Sequence, residues 1–399
     1  KNYCQPIKPV ISNLKIRGSW GLVGNDATNA GRFAYMEDLV LGGSDSYTTG
    51  IRQDTYYSGP SWNRYFNPDL TWEVGEKINL GLDLQLFNDF NLTFDIFREK
   101  RRDIFMTREN SIPEIVGTGE TKITSNNGEM ENKGLDLAID YNKQITKDFF
   151  LSFKSTLTFA RNKVLKMDEP PYFEYPGLSD VGHPLGTYWG YVADGLFPDQ
   201  ETIDNSPRQD LGYTPQPGDI KYVNQPNAKG EYDNVINSND RVAIGHPYDP
   251  ELVYGFGPSM KWKNWDFSFF FQGVARTSFM MYGMHPFGTT SIKNMLQFVA
   301  DDHWSVDNPN PNAAYPRLTK DSNGNNDQYS TYWLRNAAFL KLKNAEIGYT
   351  YKGMRFYLSG VNLLTFSPFK HWDPEMGGGN GLYYPTQRVF NIGFQMTIQ

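Results

Sequence analysis

The chain has 399 residues, a net charge of −7 and no basic stripe, which argues against nucleic acid as a partner. Aromatic residues reach 15%, led by 27 Phe and 25 Tyr, while hydrophobic residues reach only 39%. A soluble core with so many rings carries more Leu, Val and Ile, whereas strands with lipid on one side and water on the other give this mixture.

A spanning helix needs roughly 20 apolar residues, and the densest stretch, Phe267 to Phe271, falls far short. Lys1 to Pro9 has no apolar h-region, so no signal peptide is read there. The single Cys4 allows no internal disulfide.

In chain order, the first strand is expected near Leu14 to Trp20. Ile78, Leu80, Leu82, Leu84 and Leu86 then alternate with Asn79, Gly81, Asp83 and Gln85, the period of a strand with one apolar face. A turn at Asn88-Asp89 leads into Phe90, Leu92, Phe94 and Ile96, because such residues tolerate the positive φ of a tight hairpin. The same reading places strands at Lys133–Tyr141, Phe149–Arg161, Val253–Trp262, Trp265–Ala275, Phe339–Tyr349 and Arg355–Leu363. In the last eleven residues Phe390, Ile392, Phe394, Met396 and Ile398 face one way, and these are expected to face lipid.

Short turns are expected at Asn142 to Asp148, Lys263-Asn264 and Tyr351 to Gly353. Long segments, notably Asn162 to Pro250 and Ser278 to Thr331, separate the other strands. Alternating short and long connections is the pattern of an outer-membrane barrel, with the short turns in the periplasm. A soluble β-sandwich also alternates, but its turns recur every 8–12 residues or so. The fold class is therefore all-β, a transmembrane antiparallel barrel of about ten strands. Gly182 to Phe197 also reads as extended, and belongs to an extracellular excursion if the parity of turns is to hold.

No catalytic constellation stands out. Asp301-Asp302-His303 puts acid and base in a row, yet consecutive residues rarely converge on one atom. The histidines His183, His246, His285, His303 and His371 lack ligand spacing, so no zinc site is expected. Gly377 to Gly379 precedes neither a helix nor a Lys and reads as a loop tip. Aromatics in the long connections are the candidate substrate-binding residues: Tyr56, Tyr57 and Trp62, then Tyr188 and Trp189, then Trp372 and Tyr384. Amphipathic rings stack on sugars or grip peptide side chains, but for any one of them anchoring or loop packing is the commoner role.

Eight segments in order carry a family resemblance: LKIRGSWGLVGN (Leu14 to Asn25), YFNPDLTWE (Tyr65 to Glu73), NKGLDL (Asn132 to Leu137), GHPLGTYWGYVADGLF (Gly182 to Phe197), HWSVDNPN (His303 to Asn310), FLKLKNAEIGY (Phe339 to Tyr349), GVNLLTF (Gly360 to Phe366) and YPTQRVFNIGFQMTIQ (Tyr384 to Gln399). Together they resemble the C-terminal barrel portion of SusC-like (RagA-like) TonB-dependent transporters of Gram-negative outer membranes.

The resemblance implies that residues 1–399 form the C-terminal part of a plugged barrel of about 22 strands, with the plug and the first strands outside this chain. It implies active import of an oligomeric nutrient, glycan or peptide, with a SusD-like surface lipoprotein as lid and TonB acting through the N-terminal part. The alternative is a barrel serving as a structural or assembly subunit of a larger outer-membrane complex. No enzyme activity and no cofactor are expected, and a carbohydrate-active enzyme finds no carboxylate pair suited to its chemistry.

Two departures stand out. The family often ends on an aromatic residue, where this chain has Ile398-Gln399. After Gly-Asp-Ile it often carries an Asp-rich calcium-like loop, but Asn224 and Lys229 stand where carboxylates belong. No metal is expected, since a hard cation needs several carboxylate oxygens.

Overall fold

The computed structural model describes all residues except 1–9, 28–31, 43–45, 109, 111, 113–114, 116–122, 283–286, 289–290, 293–294, 320–321 and 397–399. Ten long strands form one sheet: β1 (Ile11–Asn25), β2 (Glu73–Leu86), β3 (Phe90–Thr107), β4 (Thr124–Thr146), β5 (Phe149–Lys166), β6 (Leu252–Trp262), β7 (Trp265–Ala275), β8 (Phe339–Tyr351), β9 (Met354–Phe366) and β10 (Val389–Met396). They lie side by side in chain order, each antiparallel to the next. β1 and β10 are the two edges and do not pair with each other. Among the described residues the sheet is therefore open. No helix among the described residues is long and apolar enough to cross a membrane.

Register places the alternating side chains on two chemically distinct faces. Opposite pairs Leu82–Phe94, Phe94–Leu137, Leu137–Leu157 and Leu157–Tyr254 run across one face. Ring pairs continue it: Trp265 lies 4.8 Å from Tyr349, and Phe356 lies 5.0 Å from Phe394, centroid to centroid. The other face carries ion pairs. Arg17 donates to Asp83 at 3.0 Å and to Asp95 at 2.9 Å, and Arg355 bridges Asp266 and Glu346. Phe390, Ile392, Phe394 and Met396 are exposed on the edge strand. Phe394, Ile392 and Phe390 stand opposite Phe356, Leu358 and Gly360 of β9. Ile398 lies outside the described residues, as does His285.

The strands are longer than their alternation suggested. β3 and β5 have 18 residues and β4 has 23, where a crossing strand needs about 9–11. The turns differ too. The positive-φ residues of the first hairpin are Phe87 (54°) and Asn88 (61°), one position earlier than Asn88-Asp89. The connection expected at Asn142 to Asp148 shrinks to Lys147-Asp148, because β4 continues to Thr146. Lys352-Gly353 turns with both φ positive, at 48° and 81°, as a tight hairpin requires.

The long connections fold. Tyr188–Gly190 pairs with Val242–Ile244, Ala193–Leu196 with Ile220–Tyr222, and Ser278–Met280 with Leu334–Asn336. Gly182 to Phe197 thus belongs to the connection between β5 and β6 and adds no strand to the large sheet. Every residue of the buried apolar cluster lies in these connections, among them Ile220, Tyr222, Phe279, Val299, Tyr315 and Trp333. None lies in the ten strands. That distribution is the reverse of a sandwich, whose core sits between two sheets.

Candidate functional site in the connecting segments

The β5–β6 and β7–β8 connections are joined by a buried polar network. Asp219 is fully buried and accepts from Arg317 Nε at 2.7 Å, Asn323 Nδ2 at 3.0 Å and Asn326 Nδ2 at 2.9 Å. Asn325, also fully buried, donates to the Ile220 carbonyl at 2.9 Å, and Trp333 Nε1 donates to the Asn326 carbonyl at 2.6 Å. A buried carboxylate is tolerated only when paired and hydrogen-bonded, and here both conditions are met. Asp219 is the acid of the Gly-Asp-Ile string, so in this chain its oxygens serve cross-linking. Asn224 is buried, and neither its Oδ1 nor its Nδ2 has a hydrogen-bond partner among the described residues.

A third connection docks through Lys341. This β8 side chain is fully buried and bonds Asp373 Oδ2 at 2.7 Å and Glu375, both of the β9–β10 connection. Burial opposes ionisation of Asp373, but the Lys341 and Thr386 hydrogen bonds outweigh it and hold the carboxyl below its usual range. Next to it His371 stacks on Phe298 at 4.1 Å, and burial followed by the Arg335 charge lowers its affinity for a proton.

Within the β7–β8 connection lies a cavity of about 310 Å³. Tyr282, Tyr315, Tyr329 and Trp333 form its walls, with Arg317, Asn323, Asn326 and Gln328 supplying polar groups. Tyr315 and Trp333 are buried, whereas Tyr282 and Tyr329 are about half exposed, at 52% and 48%. Burial raises the Tyr315 phenol, so it remains a neutral hydrogen-bond donor. Rings around a few convergent polar groups are the usual make-up of a small-molecule site.

The aromatic residues singled out from sequence fall into three groups. Tyr188 and Trp372 pack against the buried cluster. Tyr188 lies 6.4 Å from Tyr329, and burial pushes its phenol up to about 12. Trp372 stacks with Phe279, meets Phe369 edge to face and donates to the Gly377 carbonyl at 2.9 Å. Trp189 is tied down by a 2.6 Å hydrogen bond to Asp180 and by the edge of His183. Tyr57 stacks on Tyr47 at 5.2 Å and Trp62 on Tyr65 at 5.6 Å, while Tyr56 and Tyr384 stand largely free at 63% and 82% exposure.

The structure therefore does not gather these seven into one site. The cavity rings Tyr282, Tyr315, Tyr329 and Trp333 were not singled out. Their only signal in the sequence was a place in Asn-rich segments, which resembled a plain loop. His303 Nδ1 meets the Ala300 carbonyl at 2.8 Å, and the neighbouring Trp304 is buried, an arrangement of packing and not of catalysis.

An antiparallel sheet with one ring-rich apolar face, short turns at one end and folded connections at the other is the wall of an outer-membrane β-barrel. The model of the family described as TonB dependent receptor-like, beta-barrel, matches residues 23–363. The chain belongs to this family, a family of receptors and transporters of the Gram-negative outer membrane.

TonB-dependent receptor P26 of Formosa agariphila is 28% identical over 423 residues, covering 97% of this chain and 40% of the relative. TonB-dependent receptor SusC of Bacteroides thetaiotaomicron is also 28% identical, over 414 residues, covering 97% and 38%. The RagAB peptide importer in its open-open state superposes with a TM-score of 0.73 over all of this chain and 41% of that one, at 20% identity. The chain thus spans about 40% of the length of the curated relatives it matches.

Proposed function

We propose that this chain supplies part of the barrel wall and the extracellular connections of a transporter that imports an oligomeric nutrient, glycan or peptide, across the outer membrane. The observation that carries the reading is the aromatic cavity with its polar groups, set in the β7–β8 connection that Asp219 ties to its neighbour. Tyr282 and Tyr329, half exposed at its mouth, take the binding role, with the exposed Tyr56 and Tyr384 as outlying contacts. In this reading the apolar face, including Phe390, Ile392, Phe394 and Met396, meets lipid, and the ion-paired face meets the lumen. The edges β1 and β10 pair with further strands, because each unpaired backbone group left in lipid costs several kcal/mol.

A SusD-like lipoprotein seated on the folded connections is the matching lid, and TonB engages a part of the protein outside this chain. Similarity to SusC and to the RagAB peptide importer supports this reading. Rings serve sugars and peptides equally well, so the substrate class stays at the level of an oligomer.

The test is purification of the complete transporter from native membranes, followed by uptake assays with Tyr282→Ala and Tyr329→Ala. A copurifying surface lipoprotein and a rise in KM for the oligomer, with folding intact, are expected. Copurification of barrel-assembly subunits in its place, with uptake unchanged in both variants, would make the structural-subunit reading the better one.

A further inference from the structure

Strands β3, β4 and β5 carry three cations abreast. Arg98 stands directly opposite Lys133, and Lys133 directly opposite Arg161. All three project from the apolar face, two residues beyond the row Ile96, Leu135, Phe159 and Leu252. Their side chains are 51%, 59% and 56% exposed.

Like charges directly opposite one another destabilise a sheet, so this row needs a counter-charge. The protein supplies only part of it. Glu131 accepts from Arg98 Nε at 2.6 Å and lies 2.7 Å from Lys133 Nζ. Glu251 lies 3.1 Å from Arg161 Nε and accepts from Arg276 Nε at 2.6 Å. Both carboxylates are sunk beneath the cations, at 11% and 4% exposure. Four cations thus share two carboxylates (4 − 2 = +2), with Arg98 Nε on Glu131 and Arg161 Nε on Glu251. The forked Nη edges, the part of a guanidinium that suits a phosphate bidentately, have no described partner.

Height identifies what meets this row. It lies one row above Ile96, Leu135 and Phe159 on the side of the long connections, away from the short turns at Phe87–Asn88 and Lys147-Asp148. There it is level with the exposed indole of Trp20, a ring suited to the membrane boundary. One step of two residues is about 7 Å, which carries the side chains from acyl chains into the headgroup layer of the outer leaflet. On β2 and β1 the same row continues with Ile78 and Trp20, which are uncharged, so the cations form a local patch and not a girdle.

We infer that Arg98, Lys133 and Arg161 form a binding site for the phosphate groups of an anionic glycolipid in the outer leaflet, with Glu131 and Glu251 fixing the cations beneath it. The inference rests on the reading that the apolar face meets lipid. Acyl chains then lie along Ile96, Leu135 and Phe159 while the phosphate sits across the row.

The experiment uses the complete transporter in detergent and native mass spectrometry, with bis-phosphorylated lipid A, its dephosphorylated form and inorganic phosphate as probes. Phosphorylated lipid A should bind wild type roughly a hundredfold better than it binds the R98Q/K133Q/R161Q variant, from about 1 kcal/mol per cation near a membrane surface. Removing the lipid phosphates should weaken wild-type binding by a similar factor, and millimolar inorganic phosphate should not compete. The K263Q/K352Q variant at the opposite end should bind as wild type does.

Equal binding of the phosphorylated and dephosphorylated lipids by wild type overturns the inference, even if the triple variant does not fold. Displacement by inorganic phosphate overturns the lipid as its ligand. Loss of both lipids from wild type, with no acyl-chain adduct at all, counts instead against the lipid-facing assignment.

Discussion

Among single residues, Tyr188 shows how burial decides the role of a loop aromatic. Its phenol titrates near 12 because burial first, and then the neighbouring Tyr248 and Tyr329, disfavour the phenolate. A folded-state value above the ordinary one near 10 means the stabilisation is complete below about pH 10 and is lost as pH rises through about 12. Limited proteolysis of the connections should therefore stay constant up to about pH 10 and accelerate between about 10 and 12. A Tyr188→Phe variant should reduce that rise, leaving the share of Tyr222 and Tyr332, whose phenols burial also raises. Unchanged acceleration in the variant would show that another group governs the alkaline transition. Nothing in the local sequence YWGY separates this packed ring from exposed Tyr56, since its neighbour Tyr329 lies far along the chain.

The strands were legible wherever only one of their faces meets water. β7 begins and ends where alternation placed it, Trp265 to Ala275, because its apolar positions are continuous. β4 was read from Lys133, yet it starts at Thr124. Its upper stretch, with Asn126, Asn127, Gly128 and Glu129, rises beyond the apolar band, where both faces are polar and the period-two signal fades. Phe87 defeated the turn reading in another way, since a bulky residue with φ of 54° is rare and composition pointed to Asn88-Asp89.

The closing strand provides the test at this scale. Phe390→Arg puts a charge on the apolar face, two rows above the row of Phe394, Phe356, Tyr349 and Trp265 that borders the short turns, and should cost about 2–4 kcal/mol. Asn391→Arg, opposite Ser359 on the polar face, should cost far less. Urea unfolding of the complete protein in lipid vesicles measures both. Equal losses would refute the facing of β10.

Taken whole, the molecule joins hairpins made of near neighbours to a body of folded connections made of distant ones. Asp219 and Arg317 are 98 residues apart in sequence, and Tyr222 reaches the Asn325 carbonyl across 103. Breaking one such tie should loosen both connections together. Asp219→Asn leaves the largely buried Arg317 guanidinium without its carboxylate, and losses of about 3–5 kcal/mol follow when one partner of a buried pair is removed. Proteolysis should then open 167–251 and 276–338 at the same denaturant concentration; cleavage of one alone would show that the two fold independently.

The same separation fixes an order of events during biogenesis. Four strand pairs of the wall, β2–β3, β4–β5, β6–β7 and β8–β9, close over two- or three-residue turns and can form as soon as the second strand is available, at small loop-closure cost. The body of folded connections cannot consolidate until Trp333 and Phe369 have joined Ile220, and contacts that distant form slowly. Until then its rings travel in an unassembled chain. Their dispersal among Asn, Gly and Pro, without a long apolar run, keeps that interval free of a segment prone to stick to its copies.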